Sequence, residues 1–253
     1  MPEYTIEVLT SSLRLLEVVA ETSGARLPEL ARRAGLTKTK AFRILKTLEQ
    51  AGYVVQDGNQ TFYLHQKAYL LGQQAKRQWN LARVARPFMD ELAEATQENV
   101  HLVVRDGLSS VVVDLRQSPH PIRMYAEVGR RGPLHAGGTP KVLLAHAPSD
   151  VLETVLNAGL EAFTTDTLIS RTRLQKTLRR IRQDGHHVAV SDLDAGAFSI
   201  AAPIWGAKAE VIAALSIAGP MMRLNTSLEQ RYVALVRDAA DRISRQLASG
   251  NPA

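Results

Sequence analysis

The whole net charge of the chain is confined to one short segment. Over 253 residues the formal net charge is +6, and residues 26–46 alone hold seven basic side chains (Arg26, Arg32, Arg33, Lys38, Lys40, Arg43, Lys46) against one acid, Glu29. A local basic cluster in an otherwise balanced chain is either a solvated helix face or the footprint of a polyanion. Charge by itself leaves the two readings equal, and the local pattern has to separate them.

That pattern predicts three short helices and a hairpin. SSLRLLEVVAE places Leu13, Leu16 and Val19 on one helical face, with Ser11 or Ser12 as cap, and Thr22-Ser23-Gly24 breaks it. Pro28 suits the first turn of a second helix, which Gly35 ends. Thr37 caps a third helix running to about Gln50, with Ala41, Ile44, Leu45 and Leu48 as its buried stripe. Its opposite face carries Thr39, Arg43, Lys46 and Thr47, flanked by Lys40, and Gly52 stops it. YVVQ and TFYL follow as strands around Asp57-Gly58-Asn59-Gln60, a hairpin signal. This order is that of a winged helix-turn-helix. The third helix fits a DNA major groove and presents donors for phosphates and base edges. The wing tip lacks Lys and Arg, so weak contacts through Asn59 or Gln60 are expected from it.

The rest of the chain reads as a second domain. Residues 66–98 are expected to be helical with a break at Arg86-Pro87, and no Gly/Ser linker intervenes. NVHLVVRDG and SSVVVDLRQ form a hairpin about Asp106-Gly107, and PIRMYAEVG is expected as a further strand. GPLHAGGTPKVLLAHA is a Gly-rich loop entering a helix. Helices at 149–158 and 171–184 (capped by Ser170), three strands in HHVAV, FSIAAPIWG and AEVIAALSIAGP, and a final helix from near Ser227 to about Leu247 complete an α+β domain. The expected division is 1–75 for DNA binding, 76–98 as helical linker and 99–253 as the second domain.

Composition excludes several classes. With 45% hydrophobic and 22% charged residues, 16 Gly and 11 Pro, the chain is neither disordered nor collagenous. The absence of Cys excludes disulfides, iron–sulfur clusters, Cys-ligated zinc and thiol catalysis. No apolar run reaches the roughly 18 residues of a membrane span, and the N-terminus is unlike a signal peptide, so a cytoplasmic protein is expected. GPLHAGGT misses the phosphate-binding GxxxxGK[ST] loop, with Gly138 where Lys is needed. His186 and His187 point to opposite faces of a strand, and no convergent metal ligands can be picked out. Ser199, His135 and Asp192 lack the GxSxG context of a hydrolase. No metal, no cofactor and no catalytic residue are therefore assigned.

LPELARRAGLTKTKAFRILKTLEQAGYV with its DG hairpin, GRRGPLHAGGTPKVLLA, and GHHVAVSDLDAGAFSIAAPIWGAKAEVIAALSIAGP together resemble the IclR family of bacterial transcriptional regulators, over nearly the whole chain and in the same order. The resemblance implies a winged helix followed by a GAF-like effector-binding domain. It implies dimers or tetramers (dimers of dimers) on pseudo-palindromic operators, with repression the commoner outcome. It also implies small acids that alter operator binding or RNA polymerase recruitment. It assigns DNA contacts to Thr37, Lys38, Thr39, Lys40, Arg43, Lys46, Thr47 and Asn59. It assigns the effector pocket to His135, Gly138, Thr139, Ala189, Ala197, Ser199, Ser216 and Ala218, with the amides of Gly138 and Thr139 holding a carboxylate. Ala189 and Ala218 stand where the family has Asp and Ser, which points to a larger acid with an apolar or aromatic body. Asp192 or Asp194 either replaces the lost carboxylate or lies on a solvated loop, and the loop is the favoured reading. The competing class is a small-molecule sensor or enzyme whose N-terminal helices serve assembly alone.

Overall fold

The computed structural model describes residues 4–22, 24–78 and 80–249. Ser23, in the expected first break, and Trp79, in the expected linker, lie outside them. The chain divides into two units, Met1–Trp79 and Asn80–Ala253.

In the first unit, helices α1 (Glu7–Glu21), α2 (Leu27–Ala34) and α3 (Lys38–Gln50) pack beside a small antiparallel sheet. Its strands β1 (Ala25–Arg26), β2 (Val54–Gln56) and β3 (Thr61–Leu64) run in the order β1-β3-β2. Leu15, Val19, Leu30, Ala41, Leu45, Val54 and Phe62 form the core. Local chemistry sets the boundaries. Thr37 Oγ1 accepts the Lys40 amide at 3.3 Å, and Gly35 takes a left-handed conformation (φ 67°) that closes α2. Asp57 Oδ1 gathers the amides of Asn59 and Thr61 at 2.9 and 2.8 Å, which turns the hairpin. α1 departs from expectation. It begins at Glu7, and Ser12 donates back to the Val8 carbonyl instead of capping. Its buried stripe is Leu15, Val18 and Val19, while Leu13 is exposed. Helix α4 (Gln66–Gln78) ends the unit.

The second unit begins with α5 (Asn80–Thr96), which runs through Pro87 without the expected break. Proline inside a helix costs about 3 kcal/mol. Here burial of Leu81, Val84, Ala85, Met89 and Leu92 on one face offsets it. Strands β4 (Asn99–Asp106), β5 (Ser109–Arg116), β6 (Arg131–Pro133), β7 (His187–Val190), β8 (Ala197–Trp205) and β9 (Val211–Pro220) form one antiparallel sheet ordered β6-β5-β4-β9-β8-β7. The segment expected as a strand at PIRMYAEVG is irregular. Ile122, Tyr125 and Val128 recur every third residue, a spacing no strand can bury, and all three are exposed. Asn99 holds this segment, donating to the Met124 carbonyl and accepting the Ser118 amide.

Strand alternation divides the sheet's two faces. Leu102, Ile200, Leu215 and Ile217 pack with α5 and the long C-terminal helix α9 (Thr226–Ala248). Val103, Ala201 and Ala214 pack with α6 (Gly138–Ala145), α7 (Ser149–Asn157) and α8 (Arg171–Asp184). The side chains facing α6 are small, which lets its first turn press on β8. A Cβ on Gly138 would lie 2.4 Å from Ser199 Oγ and 2.8 Å from the Ser199 carbonyl oxygen. Gly138→Ala therefore forces α6 off the sheet, and we expect it to lower the unfolding free energy by about 1–3 kcal/mol in denaturant titration.

Candidate functional site

Two surfaces carry chemistry, one in each unit. On the first, Lys38, Thr39, Arg43 and Thr47 are exposed along α3, opposite its buried Ala41, Ile44 and Leu45. The basic residues at the edges of this face are held. Lys40 Nζ pairs with Glu7 on α1 at 2.9 Å. Lys46 Nζ bonds Glu49 at 2.7 Å and Gln56 at 3.1 Å. The Thr37 hydroxyl is spent on the cap, and Thr47 Oγ1 donates to the Arg43 carbonyl. Asn59 stands exposed at the hairpin tip. Phe42, which sequence reasoning passed over, is 47% exposed on the same side of α3, with Lys46 Nζ 6.0 Å from its ring centre. An apolar residue off the buried stripe was the signal. A helix face that combines a long guanidinium, hydroxyls and an exposed ring can meet phosphates and base edges together.

The second unit contains a cavity of about 100 Å³ between the start of α6, the ends of β4, β8 and β9, and the irregular segment before β6. Of the pocket residues expected from sequence, Gly138, Thr139, Ala189, Ala197, Ser199 and Ala218 line it together. His135 and Ser216 are not on its wall. His135 Nε2 lies 2.9 Å from the Glu161 carbonyl oxygen and its ring sits against Phe163. Ser216 is fully buried within the sheet. Val103, Val112, Leu193 and Phe198 supply apolar wall, and His101, Ser110, Tyr125, Arg130, Asp192 and Asp194 are among the further polar lining. The helix geometry leaves the amides of Gly138 and Thr139 at the α6 N-terminus without carbonyls to serve, and Pro140 has none.

The solvated-loop reading of Asp192 is overturned. Asp192 is buried, and its Oδ2 accepts from Lys141 Nζ and from the Gly137 amide, both at 2.5 Å. Lys141 is 2% exposed. Desolvation pulls its ammonium below the ordinary lysine range, against the opposing pull of Asp192. One lysine amid the apolar residues of GTPKVLLA was the available signal, but its partner lies 51 residues away. Asp194 is more open and pairs with Arg130 at 3.1 Å. Burial pushes His101 and His187 down to about 4, so both imidazoles are neutral at pH 7.

A winged helix with a donor-rich helix face, in one chain with an α+β domain that encloses a small cavity, defines a DNA-binding regulator with a separate sensing domain. The particular family follows from the sequence. Residues 73–245 match the model of the bacterial transcriptional regulator IclR C-terminal domain, and residues 8–58 match that of the IclR helix-turn-helix domain. The chain belongs to the IclR family of transcriptional regulators and is a DNA-binding regulator, not an enzyme. It is 34% identical to the HTH-type transcriptional regulator KdgR of Escherichia coli over 236 residues, covering 92% of this chain and 89% of that one. It is 32% identical to the transcriptional repressor IclR of the same organism, covering 94% and 89%. Among solved structures it resembles an IclR homolog from Microbacterium hydrocarbonoxydans complexed with 4-hydroxybenzoate. That match has 26% identity and a TM-score of 0.81, covering 96% of this chain and 99% of that one. Among the described residues, no helix is long and apolar enough to cross a membrane.

Removing one member of a buried ion pair strands the other charge. We expect Lys141→Met to cost about 3–5 kcal/mol of unfolding free energy, and the double variant Lys141→Met, Asp192→Asn to regain much of it. Paired denaturant titrations read both values, and equal losses in the two variants would show that packing, not charge, dominates at this site.

Proposed function

We propose that the chain represses transcription from a pseudo-palindromic operator and that a small organic acid in the cavity of the second unit modulates it. The first unit, about residues 1–75, is the DNA-binding module. α5 packs into the second unit's core, so the linker expected over 76–98 shortens to the residues before Asn80, and residues 80–253 form a GAF-like effector-binding and oligomerisation domain. α3 enters the major groove with Thr39, Arg43 and Thr47 toward the bases. Lys38, Lys40, Lys46 and the amide end at Thr37 serve the phosphates, and Asn59 touches the neighbouring backbone. The working form is a homodimer or a dimer of dimers in the cytoplasm, since a two-fold protein matches a two-fold operator. RNA polymerase is a further partner at the promoter.

The observation that carries the effector half of this reading is the pair of amides, Gly138 and Thr139, that open α6 onto a cavity with largely apolar walls. A helix N-terminus stabilises a carboxylate there, and the walls accept its body. Asp192 already occupies the Gly137 amide and is balanced by Lys141, so the two remaining amides are left for an added anion.

Gel-shift titration against DNA flanking the chain's own gene, in about 150 mM salt with nonspecific competitor, tests the DNA half. A specific complex is expected. Arg43→Ala should weaken it by about 1–3 kcal/mol while leaving nonspecific binding nearly unchanged. Unaltered specific affinity would remove Arg43 from the base-reading set.

A further inference from the structure

One side chain of α3 breaks the division between its buried apolar stripe and its polar outer face. Phe42 is 47% exposed, and within α3 no other large apolar side chain is exposed. It follows Thr39 by three positions and precedes Lys46 by four, so the three stand on one side of the helix. Lys46 Nζ lies 6.0 Å from the ring centre and is itself fastened to Glu49 and Gln56. The ring is therefore flanked by a side chain that is already tied down.

A single exposed apolar residue needs no explanation by itself; the neighbours give this one its meaning. Elsewhere in the first unit, Ile6, Leu9 and Leu13 are exposed at spacings of three and four along the start of α1. A continuous apolar stripe of that kind suits another protein surface. Phe42 instead stands among Lys38, Thr39, Arg43 and Lys46, in the segment that holds the chain's whole net charge. The partner that fits such a patch is a polyanion with an apolar group set among its polar ones. The DNA major groove has one such group on its base edges, the C5 methyl of thymine, and an aromatic side chain meets it by apolar contact. Phe42 can make no hydrogen bond there, so the methyl is what it can read. Successive helix residues are offset by 1.5 Å along the axis and about 100° around it. With base pairs about 3.4 Å apart, Phe42 and Arg43 reach bases one or two steps from each other.

We propose that Phe42 is a specificity-determining residue, its ring packed on the C5 methyl of an operator thymine about one or two base pairs from the guanine that Arg43 meets. This rests on the DNA-binding reading given above and adds an apolar reading point to its hydrogen-bonding ones. Each half-site then carries a thymine, on either strand, that the protein recognises through its methyl alone.

Gel shifts of the full-length protein on duplexes that it selects from a random-sequence library test this. The guanine is identified as the base pair to whose replacement Arg43→Ala has become indifferent. Each thymine is then replaced singly by deoxyuridine, which deletes the methyl and keeps every hydrogen-bonding group. One thymine per half-site, within two base pairs of that guanine, is expected to lose about fourfold in affinity, the value of one buried methyl. Phe42→Ala should bind the thymine duplex at least fourfold more weakly than the wild type does, and should bind the deoxyuridine duplex as well as the thymine one. Phe42→Leu, which keeps an apolar side chain, should retain part of the sensitivity and separates a lost contact from a folding defect. Wild-type affinity that ignores deoxyuridine at every thymine, or a methyl sensitivity that survives Phe42→Ala, would overturn the proposal and leave the DNA-binding reading standing. Selection of no specific duplex by the wild type would overturn both.

Discussion

The contact on which the second unit depends is the approach of α6 to β8. Gly138 sits so close to Ser199 that no side chain fits between them. One turn later Lys141 reaches into the protein to meet Asp192. Burying two charges costs several kcal/mol per ion before their attraction repays it, so this pair is weak evidence for net stability. Its consequence is geometric. Asp192 ties the loop after β7 to the first turn of α6 through Lys141 and the Gly137 amide. That fixes where the cavity begins and which amides remain for a ligand. A glycine and an ion pair thus decide the position of the helix, and the helix decides the cavity.

The first unit obeys a different economy. α3 spends one face on the core and keeps the other for contact, and it settles its edge charges within the unit. Lys40 leans on Glu7 and Lys46 on Glu49 and Gln56. Exposed ion pairs of this kind contribute little to stability. They do hold long side chains in place, which reduces the ordering entropy lost when the face meets a polyanion. Arg43 is exposed on the middle of that face, where a guanidinium fork suits the two acceptors of a guanine edge.

The polar row behind the cavity shows how a sheet can concentrate unmet hydrogen-bonding capacity. Each of His187, Ser216 and His101 belongs to a separate strand, and each strand alone reads as ordinary alternation. Only their register brings them side by side. Unmet polar groups in a core are a cost, and of this row only His101 lines the cavity.

Much of the molecule was legible in the chain. The caps at Thr37 and Ser170, the stop at Gly35, the Asp57 turn and the hairpin at Asp106-Gly107 all rest on hydrogen bonds and periodicities that span a few residues. Where the local signal was ambiguous the reading slipped. Ser11 and Ser12 looked like caps but lie inside α1, Pro87 looked like a break but is carried by the burial around it, and PIRMYAEVG looked extended but has a period of three. The sequence by itself determined the two-domain plan, the family and the helix that carries the basic face, because those follow from short-range chemistry. The tertiary structure alone decided that Asp192 is a buried partner of Lys141, that Ser216 and His135 stand off the cavity, and that His101 belongs to its wall. Each of those depends on pairing residues dozens of positions apart, and strand register and helix docking, not local spacing, set which of them meet.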